Sequence, residues 1–259
     1  MLAGRFAIVR FLFAACCADF TFRFAAWICF RVAISSPPHR WSTRTLSKHS
    51  PAAALVVALV GLALAAPASA GPRDEKEQLT NAGQALARRA VLHRSDLSRG
   101  WRPVSVPARS NRCRSYNPDL SQFTLIGKAH SAFLLPSGAA IGSSVGVYVT
   151  AGQAADAFAA QARRGLLTCM SAGIVKQFAR SGIKAVVVAK RMSRGPRLGA
   201  QTASFRVVLM LSVGGGTAPY DVDLVTFQKR RAIAALSFQA LGGPVPKQLS
   251  VARRVASRL

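Results

Sequence analysis

From Gln201 to Val213 the chain alternates without a break. Ala203, Phe205, Val207, Leu209, Leu211 and Val213 fall on one side, and Thr202, Ser204, Arg206, Val208, Met210 and Ser212 on the other. A period of two over this length specifies a long β-strand with one buried face, and such a strand needs neighbours in a sheet. The following residues supply them. Gly214-Gly215-Gly216 turns the chain into Tyr220 to Gln228, and Lys229-Arg230-Arg231 turns it into Ala232 to Ala240. Turns this short demand antiparallel pairing, because a parallel neighbour needs a crossover of about a dozen residues.

Upstream the pattern mixes strands with helices. Thr124 to Leu135 and Ala140 to Val149, joined by Pro136-Ser137-Gly138, predict a hairpin. Thr150 and Gln153 form a T-x-x-Q capping box, predicting a helix from Ala151 through Asp156, Phe158, Ala162, Leu166 and Cys169 that loosens near Ser171-Ala172-Gly173 and ends by Gly182. An earlier helix is opened by Asp74, Glu75 and Glu77, with Leu79, Ala82, Leu86 and Ala90 on one face and Arg88, Arg89, His93 and Arg94 at its end, a charge order that suits the helix dipole. Trp101 begins an extended stretch that Pro103 and Pro107 keep irregular or at a sheet edge. Pro244 introduces a last helix with Leu249, Ala252, Ala256 and Leu259 inward. The order helix, hairpin, helix, strands, helix predicts an α+β fold, an antiparallel sheet flanked by helices in a single domain over residues 71–259.

The first 70 residues differ in kind. Residues 1–43 hold seven of the 14 Phe and three of the five Cys, and Arg10, Asp19, Arg23 and Arg31 interrupt every apolar run. Residues 44–70 read as a secretory signal: Arg44, Lys48 and His49, an uncharged run from Ala52 to Ala66, then Ala68-Ser69-Ala70 before Gly71, which sets cleavage between Ala70 and Gly71. As a helix the run rises about 22 Å, short of the roughly 30 Å of a bilayer core, so no stable span is expected in the mature form. A signal this far into the chain fits an initiation site assigned too far upstream, with Val32 or Leu46 as internal starts.

The mature segment carries 28 Lys and Arg against eight Asp and Glu. That excess attracts polyanions, whether nucleic acid, acidic lipid or wall polymer. Its two cysteines, Cys113 and Cys169, read as a disulfide in an exported chain, with two separate buried thiols as the alternative.

Chemical motifs are sparse. Gly142-Ser143-Ser144-Val145-Gly146 matches G-x-S-x-G, but a nucleophile elbow requires a sharp turn into a helix, and here strand residues follow Ser144 directly. His93 and His130 make no metal-ligand spacing with each other or with Cys. Asp221 and Asp223 project to one side of a strand, where a solvated face beside Lys and Arg is favoured over a cation site. The glycines at 214–216 lack the Lys and Ser or Thr of a phosphate loop. Arg94, Arg99, Arg102, Arg109, Arg112 and Arg114 form a basic segment with few aromatics between them, so a specific nucleic-acid partner is not expected.

Several landmarks together resemble a known family: Ala90-Val91-Leu92 with Ser95-Asp96-Leu97 and Gly100-Trp101, then Cys113, then Ile141 to Tyr148 followed by Ala154-Ala155-Asp156-Ala157-Phe158 and Cys169, and the closing Ala252 to Leu259. With Ala203-Ser204-Phe205-Arg206 and Asp223-Leu224-Val225 they resemble the PknH-like extracellular sensor domains and related PsbP-like exported proteins of actinobacteria. That resemblance implies a twisted antiparallel sheet flanked by helices, a ligand cleft, a structural Cys113–Cys169 disulfide, and no catalytic residue or cofactor. The chain departs from the kinase members in lacking a kinase domain and in having a single cysteine pair. The resulting expectation is a secreted, non-enzymatic ligand-binding or sensor-like domain, its partner a small ligand or an anionic cell-envelope polymer. A cationic wall-associated protein is the alternative, and a secreted hydrolase using Ser144 the third reading.

Overall fold

The computed structural model describes residues 73–105, 113, 115–213 and 215–259. The extension at residues 1–43, the signal segment 44–70 with its junction at Ala70 and Gly71, and Pro107, Arg109, Arg112, Arg114 and Gly214 lie outside the described residues. In chain order the elements are β1 (Lys76–Glu77), α1 (Asn81–Ala90), a short 3₁₀ turn (Arg94–Asp96), β2 (Arg102–Pro103), β3 (Thr124–Leu134) and β4 (Ala140–Tyr148). Then come α2 (Ala151–Gln161), α3 (Arg164–Arg180), β5 (Lys184–Arg194), β6 (Gln201–Val213), β7 (Gly216–Lys229), β8 (Ala232–Leu241) and α4 (Gln248–Ser257). The fold is α+β.

The strands form one open eight-stranded sheet in the order β1-β3-β4-β8-β7-β6-β5, with β2 also paired to β3. All pairs are antiparallel except β1 with β3, which is parallel. That pair departs from the all-antiparallel expectation, and it explains a second difference. Glu75 and Glu77 do not open α1, because residues 76–77 are extended and bonded to β3, with Lys76 N donating to Phe123 O at 2.9 Å. The helix starts instead at Thr80, whose hydroxyl accepts from Gly83 N at 3.0 Å.

Both faces of the sheet are packed. On one face Phe205, Val207, Leu209, Leu211, Tyr220 and Val222 meet Phe158, Leu166, Ile174 and Phe178 of α2 and α3. The rings of Phe178 and Tyr220 stand edge to face at 5.1 Å. On the other face Ile141, Val145, Val147, Phe227, Leu236 and Phe238 meet Ala87 and Ala90 of α1 and Val251, Ala252 and Val255 of α4. Leu249, expected inward, is exposed, and Val251 joins Ala252, Val255, Ala256 and Leu259 on the buried stripe.

α1 lies on β3 backbone to backbone. A Cβ on Gly83 would come within 2.2 Å of Ile126 O, and one on Gly127 within 2.1 Å of Gly83 O. Only paired glycines permit this approach. The contact, with β1 and β2 at the two ends of β3, covers that edge of the sheet, whereas β5 at the opposite edge has no strand on its outer side among the described residues and exposes Val186 and Val188.

The helix expected from Ala151 to Gly182 is two helices. Thr150 caps α2 through a bond from Gln153 N, but the Gln153 side chain accepts from Thr124 N at 3.0 Å instead of closing the box. At the break, Tyr116 donates its hydroxyl proton to Gln161 O at 2.8 Å, and Gly165 lies where a Cβ would meet Ser115 O at 2.5 Å. The segment around Tyr116 thus ends α2 and fits against the start of α3. Within α3, Ser171-Ala172-Gly173 stays helical, and the chain leaves the helix through Gly182 at φ +72°.

Candidate functional site

Cys113 and Cys169 are joined, with Cα atoms 5.8 Å apart. The bond ties α3 to the segment preceding β3, and a two-residue bridge between Cys113 and Tyr116 supports it from the loop side. Separate thiols are thereby excluded.

Ser144 lies inside β4, opposite His130 of β3 and Ala235 of β8, not at a turn into a helix. No hydrogen bond joins Ser144 to His130, which is exposed on β3. Its neighbour Ser143 has the structural task, accepting from Leu92 N at 3.3 Å. His93 sits beyond the end of α1, its ring against Arg89 O at 3.1 Å. Among the described residues no group of three or more His, Cys, Asp and Glu is placed to hold a metal, and no helix is long and apolar enough to cross a membrane.

Asp221 and Asp223 correct the expectation of a solvated face. Both are buried, and both face Arg206. The Arg206 guanidinium donates to Asp221 Oδ1, and its Nε lies 3.8 Å from Asp223 Oδ1. Gln248 at the start of α4 donates to Asp223 Oδ2 at 2.9 Å. The cause is topological: α4 crosses this face beside β7, shielding the carboxylates that a bare sheet would leave in water. A cation already occupies the position where a metal would need to sit.

The register carries this row outward. Arg206 is the direct partner of Asp223 on one side and of Arg191 on the other, and next to it Ser204 faces Ser193. Two arginines and two serines therefore form a square on β5 and β6. Like charges directly opposite on a sheet repel unless something neutralises them. For Arg206 the two aspartates do so. Arg191, exposed, has no carboxylate partner among the described residues.

The square forms the floor of a cleft of about 340 Å³ between the β5–β6 face and α4. Pro196, Leu249 and Ala252 line its apolar side, and Asp223 and Gln248 its inner end. The side chain of Arg206 is 40% exposed while that of Asp221 is 6% exposed, so the charge offered to a ligand is positive. Guanidinium groups paired in this way suit an anion with two or more acceptor oxygens, and serine hydroxyls beside them supply further donors.

Sequence reasoning had Arg206 and Ser204 on the polar face of their strand but did not find the site. The missing signal was cross-strand register, since nothing in the linear order sets Arg191 and Ser193 opposite them. Of the basic segment, Arg94, Arg99 and Arg102 are exposed and do not enter the cleft.

Comparison with models of known protein families and with curated proteins gives no match.

Proposed function

We propose that this protein is an exported, non-catalytic domain that binds a small anionic ligand in the cleft over Arg191 and Arg206. The observation that carries this reading is their juxtaposition: two guanidinium groups are register partners, and internal carboxylates neutralise only the inner one. Ser193, Ser204 and Gln248 surround them with groups able to select among anions. A ligand carboxylate or phosphate bridging the arginines would relieve the cross-strand repulsion, so the site gains more from an anion than a lone surface arginine does. Export is supported by the disulfide, which persists in oxidising compartments, and by the basic, apolar and small-residue grammar of residues 44–70. The sensor-like reading draws on the landmarks shared with PknH-like domains. The mid-strand position of Ser144 supports a binding role over hydrolysis.

Native mass spectrometry of the protein recovered from culture fluid, followed by thermal-shift titration with small mono- and dicarboxylates and phosphate esters, tests this. An adduct or a saturable shift is expected in the wild type and should be lost in Arg191→Ala. Saturable binding that survives in Arg191→Ala, or no response to any anion, would end the proposal. Reaction of Ser144 with a fluorophosphonate probe would end the non-catalytic part of it.

A further inference from the structure

A second concavity lies at another part of the molecule. The hairpin between β7 and β8 closes at Lys229 and Ala232, leaving Arg230 and Arg231 as its two-residue turn. Beside it are the last turn of α1, which carries Arg88 and Arg89, and the end of α4, which carries Arg254 and Arg258. Together they enclose a cavity of about 210 Å³ whose charged lining consists of Arg89, Lys229, Arg230, Arg231 and Arg258. Lys229 follows Asp223 by six steps along β7, which places this cavity about 20 Å along the strand from the Arg206 pair.

The charges divide into two groups. Lys229 donates to Ala256 O at 2.7 Å, satisfying the end of α4, and Arg258 is held by both oxygens of Asp96 at 2.8 Å. These two are structural. Arg89, Arg230 and Arg231 have no carboxylate partner among the described residues. Asp96, the nearest acid, is already paired with Arg258. Arg258 adds an Nε that is buried without a hydrogen-bond acceptor.

The backbone adds an independent observation. Arg230 adopts a left-handed conformation at φ 52°. A two-residue hairpin turn ordinarily places Gly or Asn there, because a larger side chain is strained at positive φ. Gln228 helps to hold the conformation by donating to Arg230 O. Folding does not require an arginine at this position, and stability would be better served by Asn or Gly. Strain retained at an exposed cationic turn points to use of the cation.

We propose that this corner is a docking site for a phosphate-repeat polymer, with one phosphate seated among Arg89, Arg230 and Arg231 and neighbouring phosphates reaching Arg88 and Arg254. Guanidinium groups take phosphate oxygens in pairs. The apolar lining is Leu86, Ala232 and Leu259, with no aromatic ring on which a base would stack, so the chemistry fits a backbone of phosphates and not a sequence-read nucleic acid. This site is independent of the Arg191 cleft.

The test titrates the exported protein with fluorescently end-labelled long-chain inorganic polyphosphate at 50 to 200 mM salt. Three proteins are compared: wild type, R89Q/R230Q/R231Q, and R164Q/K176Q/R180Q, which loses the same charge from exposed positions on α3. Binding by wild type is expected to fall steeply with salt, and the corner triple to bind about tenfold more weakly with a salt slope smaller by about 2. The control triple should stay within about threefold of wild type. Arg230→Asn separates binding from folding: its melting temperature should equal or exceed wild type while its affinity drops. Equal weakening in both triples, absence of polyphosphate binding, or preferential base-dependent binding of a single-stranded oligonucleotide would each overturn the proposal. Orthophosphate competing as well as the polymer on a per-phosphate basis would overturn the polymer assignment.

Discussion

Asp96 shows how much of the fold one carboxylate can hold. Its Oδ1 and Oδ2 accept from the two terminal nitrogens of Arg258 at 2.8 Å each, and Oδ2 also accepts from His93 N at 2.8 Å. Arg258 in turn donates to Val91 O at 3.1 Å, so the pair joins the end of α4 to the turn after α1. Burial pushes the Asp96 carboxyl up, but the hydrogen bonds from Arg258 and His93 and the Arg258 charge outweigh it and hold the group below the ordinary carboxylate range. A lowered folded value means that the contribution to stability is complete above the unfolded value near 4 and is lost as pH falls through the folded value. Asp96→Asn should therefore destabilise the protein by about 1–3 kcal/mol at neutral pH. The gap should narrow as the pH is lowered from neutral to below the ordinary carboxylate range. Urea unfolding at both pH values checks this, and a gap that persists in acid would contradict it. Tyr148 is the opposite case: burial, followed by the nearby Glu75, raises its phenol well above the usual value, so it stays neutral and serves as a hydrogen-bond donor to Glu75 Oε1 at 3.1 Å.

At the scale of elements, α1 depends on absent side chains. The Gly83 and Gly127 contact lets Thr80 N bond Ile126 O at 2.8 Å and lets the Gln84 side chain accept from Lys128 N at 3.0 Å. Gly127→Ala should force the helix off the strand and cost about 1–3 kcal/mol, read as a lower urea midpoint, whereas Gly173→Ala, with open space around it, should be neutral or stabilising. Equal midpoints would show that α1 yields freely. The long elements were legible because their signals are local. The alternation of β6 buries Ala203 through Leu211 as its pattern requires, and the Thr150 cap marks the start of α2. What was not legible depends on distant partners. Asp74, Glu75 and Glu77 suit a helix start, but pairing with β3 takes residues 76–77 first, and Tyr116 meets the end of a helix 45 residues away. The cleft was invisible for the same reason. Arg191 meets Arg206 only after the β5 register, with its irregularity between Val187 and Ala189, has been set.

The described residues form a sheet between two apolar cores, so each face must keep its helices in place. α1 is anchored through its glycines and α4 through Arg258 and Lys229. On the other face α3 is fastened by the Cys113–Cys169 bond, which spans a sequence separation of 56. In the chain-entropy account, closing a loop of that size contributes roughly 4 kcal/mol. Cys113→Ser, or reduction of the wild type, should lower stability by about 2–4 kcal/mol, measured by urea unfolding with and without reductant. Reductant should have no effect on the Cys113→Ser variant. An undiminished midpoint in the reduced wild type would mean that packing alone holds α3.

The outer rim of β5 leaves the molecule with a latent template for fibre growth. Val186 and Val188 offer adhesive surface along it, and Lys184, Lys190 and Arg191 supply the repulsion that keeps another copy from zipping on. Cationic residues there thus act as sentinels for solubility, and a lineage that discarded them in favour of neutral ones would trade a dispersed protein for one prone to stack.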